Sequence, residues 1–176
     1  EGKVGQVLIK GENITTGYFE DQEATEQVFS GPWLKTGDMG FIYEGNLYIT
    51  GRYKDIIFIG GKNLYANDLE AIACRVEGVN YGKVVIGGAF DKKKGQDQVI
   101  VFLVGSPNPN TATTFKKLKE LMQETLAMTV QIFIPVKSNE IPKTSSGKIQ
   151  RYKLIERYLK GEFDDVINKT KALMKK

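Results

Sequence analysis

The sequence predicts an α+β fold: a short antiparallel β segment, then a compact domain whose small β-sheet is packed by helices. Three observations carry this expectation. Residues 1–50 alternate like short strands and contain a clear hairpin turn. The character of the chain changes after Gly51. From 52 to 160, apolar runs and amphipathic stretches follow in the order β-α-β-β-α-β-α.

Glu1-Gly-Lys-Val-Gly-Gln-Val-Leu-Ile-Lys10 alternates like a strand and lacks an initiator Met, as in a chain cut from something larger. Ala24, Val28 and Phe29 are spaced for a short helix between Asp21 and Phe29. Trp33–Lys35 and Phe41–Tyr43 read as two strands, and the Glu44-Gly45-Asn46 turn joins the second to Leu47–Ile49. Ile56-Ile57-Phe58-Ile59 is a short apolar run ended by Gly60-Gly61, which predicts a buried strand and a turn. Asn67 with Glu70 three residues later resembles a capping box, followed by Leu69, Ile72, Ala73 and Val76 at helical spacing.

Lys83–Phe90 and Gln98–Val104 predict a hairpin around the charged loop Asp91–Asp97. After the turn cluster Ser106–Asn110, Phe115, Leu118, Met122 and Leu126 mark an amphipathic helix. Ile132–Ile134 predicts a third strand, closed by Pro135. A loop from Ser138 to Gly147 leads into a helix carrying Tyr152, Ile155 and Leu159. Residues 164–176 read as a Lys-rich tail, with a helix as one reading and no chemistry visible in it.

Composition excludes several chemistries. The 176 residues include no histidine and one cysteine, Cys74. That removes the Ser-His-Asp triad, the Cys-His pair, His-ligated metals, disulfides and thiolate zinc. No apolar run approaches the ~20 residues of a membrane span, and no signal peptide opens the chain. The expectation is a soluble, cytoplasmic protein. The net charge of +4 is spread along the chain and points to a solvated surface rather than nucleic-acid binding. Any catalysis falls to Lys, Arg, Asp, Glu, backbone amides or a hydroxyl.

Three segments can carry such chemistry. Thr36-Gly37-Asp38 is either a turn whose carboxylate satisfies nearby amides, or a held carboxylate able to accept two hydrogen bonds from a diol. Gly51-Arg52-Tyr53-Lys54-Asp55 is either a polar linker or an interdomain hinge with a guanidinium beside it; Gly60-Gly61 is a turn or a place where backbone approaches a ligand. Pro142-Lys143-Thr144-Ser145-Ser146-Gly147-Lys148 looks directed at phosphate. It is not a Walker loop, because Pro142 replaces the first glycine and Ile149 the Ser/Thr. A Lys at a positive helix end is unfavourable for stability, which suggests an arriving anion.

Taken in order, these segments resemble the carboxy-terminal part of the adenylate-forming superfamily: acyl-CoA synthetases, fatty acyl-AMP ligases and peptide-synthetase adenylation domains. The resemblance covers roughly residues 5–160. It runs through Gly17-Tyr18, Thr25, Phe29, Trp33-Leu-Lys-Thr-Gly-Asp38, Gly51-Arg-Tyr-Lys-Asp-Ile-Ile, Gly61, Glu70 and Pro142-Lys-Thr-Ser-Ser-Gly-Lys-Ile-Gln-Arg151. It implies that 1–51 end a large N-terminal domain, that 52–163 form a mobile C-terminal lid, and that the upstream half of the enzyme is missing.

The same resemblance implies Lys148 as the catalytic lysine of adenylate formation, and Asp38 and Arg52 as nucleotide-binding residues. It implies Lys54 as hinge, Gly60 and Gly61 along the thiol path, and no metal ligand in this chain. ATP/AMP and Mg²⁺ are the implied cofactors, and an acyl substrate with CoA or an acyl carrier protein the implied partners. The implied reaction is attack of a carboxylate on the α-phosphate of ATP, release of pyrophosphate, and transfer of the acyl group to a thiol. Lys54-Asp-Ile-Ile, Asn63-Leu-Tyr65 and Asp68-Leu-Glu70 lean toward fatty acyl-AMP ligases, although those often have Pro where Ala66 stands. A peptide-synthetase fragment and a carrier-docking module working through Lys92-Lys93-Lys94 are the alternatives. The isolated chain is expected to be inactive.

Overall fold

A computed structural model gives the fold for residues 2–175. Glu1 of the predicted opening strand and Lys176 of the predicted tail lie outside the described residues. The chain divides into two compact units, with the division between Lys54 and Asp55, three residues beyond the Gly51–Arg52 step.

The first unit contains β1 (Gly5–Ile9), α1 (Gln22–Val28), β2 (Phe29–Ser30), β3 (Trp33–Tyr43) and β4 (Asn46–Arg52). β3 pairs antiparallel with all three other strands. Its two predicted halves are one strand: Asp38 pairs with Arg52 of β4, while Thr36 and Gly37 lie in the irregularity opposite Val7 of β1. The Thr36 hydroxyl donates to the Val7 carbonyl at 2.9 Å and accepts from the Asp38 amide at 3.0 Å, so the polar insert is satisfied within the sheet. Asp21 caps α1 by accepting from the Ala24 amide at 2.9 Å. Among the described residues of this unit no apolar side chain is buried, and Ile42, Leu47 and Ile49 are exposed.

The second unit begins with β5 (Ile56–Ile59) and β6 (Lys62–Tyr65), a two-stranded hairpin whose second strand the sequence did not announce. Gly60 and Gly61 turn it with φ of 55° and 74° between the partners Ile59 and Lys62, the left-handed pair that a two-residue turn demands. α2 (Ala66–Ala73) leads to β7 (Val84–Asp91) and β8 (Gln96–Val104), an antiparallel pair. α3 (Pro109–Leu126) crosses over to β9 (Ile132–Val136), parallel to β8. Pro135 does not close this strand: it lies within it, and an edge strand tolerates the missing donor.

Alternation along β7 and β8 buries both faces of the sheet. Val84, Ile86, Val99 and Val101 face a cluster with Leu69, Phe115, Leu118 and Met122 from α2 and α3. Val85, Ile100 and Phe102 face a second cluster with Leu154 of α4 (Arg151–Leu159) and Ile167 of α5 (Asp164–Met174). At Gly87 a Cβ would stand 2.8 Å from the end of Ile155, so α4 passes close over β7 where no side chain intervenes. Within the predicted tail, residues 164–174 form the helix α5, which packs on this second cluster. The apolar residues of α5 lie within the Lys-rich stretch at helical spacing, and Ile167 and Thr170 are buried.

Candidate functional site

The antiparallel register of β3 and β4 sets Asp38 opposite Arg52. Their side chains form an ion pair, Arg52 Nε to Asp38 Oδ1 at 3.1 Å, with Asp38 about a third exposed and Arg52 more so. The two are thus one feature on a sheet surface, a carboxylate oriented by a guanidinium. Lys54 follows in the 3-10 turn Tyr53–Asp55, exposed, as the last residue of the first unit.

In the second unit, the Gly60-Gly61 turn is exposed, and a Cβ at either position would meet nothing within 4 Å. The hairpin is tied to β8 through polar groups: the Phe58 amide donates to Asp97 Oδ2 at 2.8 Å and the Gly60 amide to Gln96 Oε1 at 3.2 Å. Backbone can therefore be presented to a ligand here without a side chain in the way.

Lys148 is exposed on a loop closed by its own hydrogen bonds. The Thr144 amide donates to the Lys148 carbonyl at 2.8 Å, and the Gly147 amide to the Thr144 carbonyl at 2.9 Å. The Lys148 amide donates to Thr144 Oγ1 at 3.0 Å. At the neck, the Gln150 amide donates to the Pro142 carbonyl at 2.9 Å. The Thr144 and Ser146 hydroxyls meet each other at 2.9 Å. One expectation is corrected: Lys148 does not stand at a helix N-terminus. α4 begins at Arg151 with Gln150 as its cap residue, because Lys148 and Ile149 are held in the loop's own pairing. The cation at that helix end is Arg151, the first helical residue, and its charge is met by Glu70 and Asp55.

A further residue emerges that sequence reasoning missed. Arg151 opens α4 and sends its guanidinium into a nearly buried acidic cluster. Nε and Nη2 donate to the two oxygens of Glu70 at 2.9 and 2.7 Å, Nη1 to Asp55 Oδ2 at 3.0 Å, and Nη2 also to Asn67 Oδ1. Glu70, 6% exposed, in addition accepts the Ile86 amide at 3.0 Å. Burial disfavours the Arg151 charge, but hydrogen bonds and charge from Glu70, then Asp55, outweigh it and hold the guanidinium protonated more firmly than usual. Asn67 and Glu70 therefore do not cap α2: its cap residue is Tyr65, without a side-chain bond, and both side chains serve Arg151 instead. Glu70 and Arg151 both stand in the motifs that carry the resemblance, but those motifs gave neither a role, and no spacing rule links residues 81 positions apart.

Two other groups are shifted. Burial, then the Glu70 charge, pushes the Cys74 thiol up. Burial, then the Asp164 and Asp91 charges, raises Tyr158 against a lowering hydrogen bond from Gln98. Among the described residues no three His, Cys, Asp or Glu converge as a metal site, and no helix is long and apolar enough to cross a membrane.

No protein-family model matches the chain. Curated relatives do. It is 32% identical to the 4-hydroxyphenylalkanoate adenylyltransferase of Mycobacterium tuberculosis, over 92% of this chain and 29% of that protein. It is 39% identical to the 2-succinylbenzoate–CoA ligase of Listeria monocytogenes, over 88% of this chain and 32% of that protein. Among solved structures, McyG A-PCP complexed with phenylalanyl-adenylate superposes with a TM-score of 0.90 at 30% identity, over 97% of this chain and 27% of that one. A fatty acyl-adenylate ligase from the E. coli and L. pneumophila studies gives 0.75 at 30% identity, over 90% and 28%. The chain spans about 30% of the length of the curated relatives it matches. Its homologues are adenylate-forming enzymes, and the chain belongs with them, corresponding to their carboxy-terminal part.

Proposed function

We propose that this chain is the carboxy-terminal portion of an ATP-dependent, cytoplasmic acid–thiol ligase that activates a carboxylic acid, of fatty type on the motif reading, as acyl-AMP with release of pyrophosphate and passes the acyl group to a carrier-protein or CoA thiol. The observation that carries the reading is the exposed ammonium of Lys148 on a loop pinned at its neck, in a chain whose homologues form adenylates. Phosphoryl chemistry of this kind depends on positioning and charge neutralisation, which Lys148 supplies at the α-phosphate as pyrophosphate leaves. Asp38 accepts the ribose hydroxyls, and Arg52 orients that carboxylate and contacts the nucleotide.

The first unit is then the end of the adenylation domain and the second a lid turning about Lys54. The open Gly60-Gly61 turn lets a thiol chain pass along backbone in the second half-reaction. Mg²⁺ enters with the nucleotide phosphates. A carrier protein as acceptor draws support from the A-PCP neighbour and CoA from the succinylbenzoate relative. A fatty acid as substrate draws support from 30% identity to a long-chain-fatty-acid–AMP ligase of M. tuberculosis.

The test uses the enzyme containing this chain. Lys148→Ala is expected to cut ATP–pyrophosphate exchange by orders of magnitude while sparing thioester formation from supplied acyl-AMP. Equal loss in both half-reactions would make Lys148 structural and sink the reading.

A further inference from the structure

We propose that Arg151 is a positioning residue for Lys148, fixing the neck of the Lys148 loop to the segment that follows Lys54. The inference rests on the reading of Lys148 as the adenylation lysine. Arg151 lies three residues after Lys148, and the Pro142–Gln150 hydrogen bond and the Lys143–Ile149 bridge close the loop just ahead of it. Its guanidinium then reaches three places at once. Glu70 takes it bidentately and joins it to α2 and, through the Ile86 amide, to β7. Asn67 adds a second contact on α2. Asp55, the residue immediately after Lys54, takes Nη1 at 3.0 Å.

The chemistry of this cluster is costly as a mere fastening. Two carboxylates and a guanidinium are drawn out of water, a cost that well-packed apolar side chains would avoid. What the ions add is direction, since a planar fork bound to a carboxylate by two parallel bonds defines an orientation that apolar contact leaves free. Lys148 needs that direction. Its ammonium ends a four-carbon stem on an exposed loop, so its aim is set by the backbone at the loop's neck. A displacement of about 1 Å can cost roughly 100-fold in a positioned reaction.

The test is a double-mutant cycle in the enzyme containing this chain, with Arg151→Lys, Lys148→Ala and the pair. Exchange of ATP with pyrophosphate and thioester formation from supplied acyl-AMP are both measured. Arg151→Lys is expected to lose about 10- to 100-fold in exchange, to stay within about twofold in thioester formation, and to add nothing further in the Lys148→Ala background. Unchanged exchange, equal loss in both half-reactions, or losses that multiply in the double variant would each overturn the proposal. Should Arg151→Lys not fold, Glu70→Gln keeps the side-chain shape and an acceptor for the Ile86 amide, and the same pattern is expected of it. Lys148→Ala with full exchange would instead remove the functional reading itself, and this proposal with it.

Discussion

Asp38 and Arg52 are direct partners across β3 and β4, and their charged groups meet at 3.1 Å on a partly exposed sheet surface. Such a pair contributes at most about 1 kcal/mol to stability, so its geometry is better explained by what it presents than by what it holds together. Asp38→Asn removes the charge that strengthens hydrogen bonds from a diol. In the enzyme containing this chain it is expected to raise the KM for ATP by about 10- to 100-fold, matching the ~1.5–3 kcal/mol of a charge-assisted bond. The unfolding midpoint is expected to stay nearly unchanged; a large fall would show the pair to be structural.

The Gly60-Gly61 turn separates backbone strain from ligand access. Because a Cβ at Gly61 would meet open space, Gly61→Ala incurs only its left-handed φ of 74°, about 1–2 kcal/mol in denaturant unfolding. Thioester formation is expected to fall more than adenylate formation. An unaffected second half-reaction would remove the turn from the thiol path.

Glu70 answers to both Arg151 and the Ile86 amide from a position only 6% exposed. Glu70→Ala leaves a guanidinium and a backbone donor without their acceptor, and is expected to destabilise the second unit by about 3–5 kcal/mol. Urea unfolding followed by circular dichroism measures it, and a loss under about 1 kcal/mol would contradict the network's role.

Cys74 gives a pH-dependent readout. Its thiol is raised by burial and by Glu70, so the fold favours the neutral form. The contribution to stability is complete below the ordinary thiol value of about 8.5 and is lost as pH rises through the higher folded value. Alkylation by iodoacetamide at neutral pH is expected to be slower in the folded protein than in urea, with its rise displaced to higher pH. Equal rates would refute the shift.

Much of this molecule was legible because local rules governed it. Alternation in 84–104 marked β7 and β8, and the 3.6 period of Phe115, Leu118 and Met122 marked α3. Ordered motifs singled out Asp38, Arg52 and Lys148 through the resemblance, and the structure sets the first two opposite each other. What escaped was set by tertiary partners. Lys62–Tyr65 is a strand because a glycine turn folds it onto β5, and Pro135 stays in β9 because that strand is an edge. Residues 164–174 join the core through Val166, Ile167 and Met174 on a helix otherwise rich in polar and charged residues. Asn67 and Glu70 followed a capping pattern that Arg151 overrode from the far end of the chain.

The uneven distribution of buried side chains has a consequence for folding cooperativity. All of the apolar side chains buried among the described residues belong to 55–176, where two clusters flank one sheet. That unit holds what a two-state transition requires, while 2–54 holds a hydrogen-bonded sheet without an interior. Amide exchange should therefore report two regimes in one polypeptide: slow, globally limited protons on β7 and β8, and faster, locally released ones on β3 and β4.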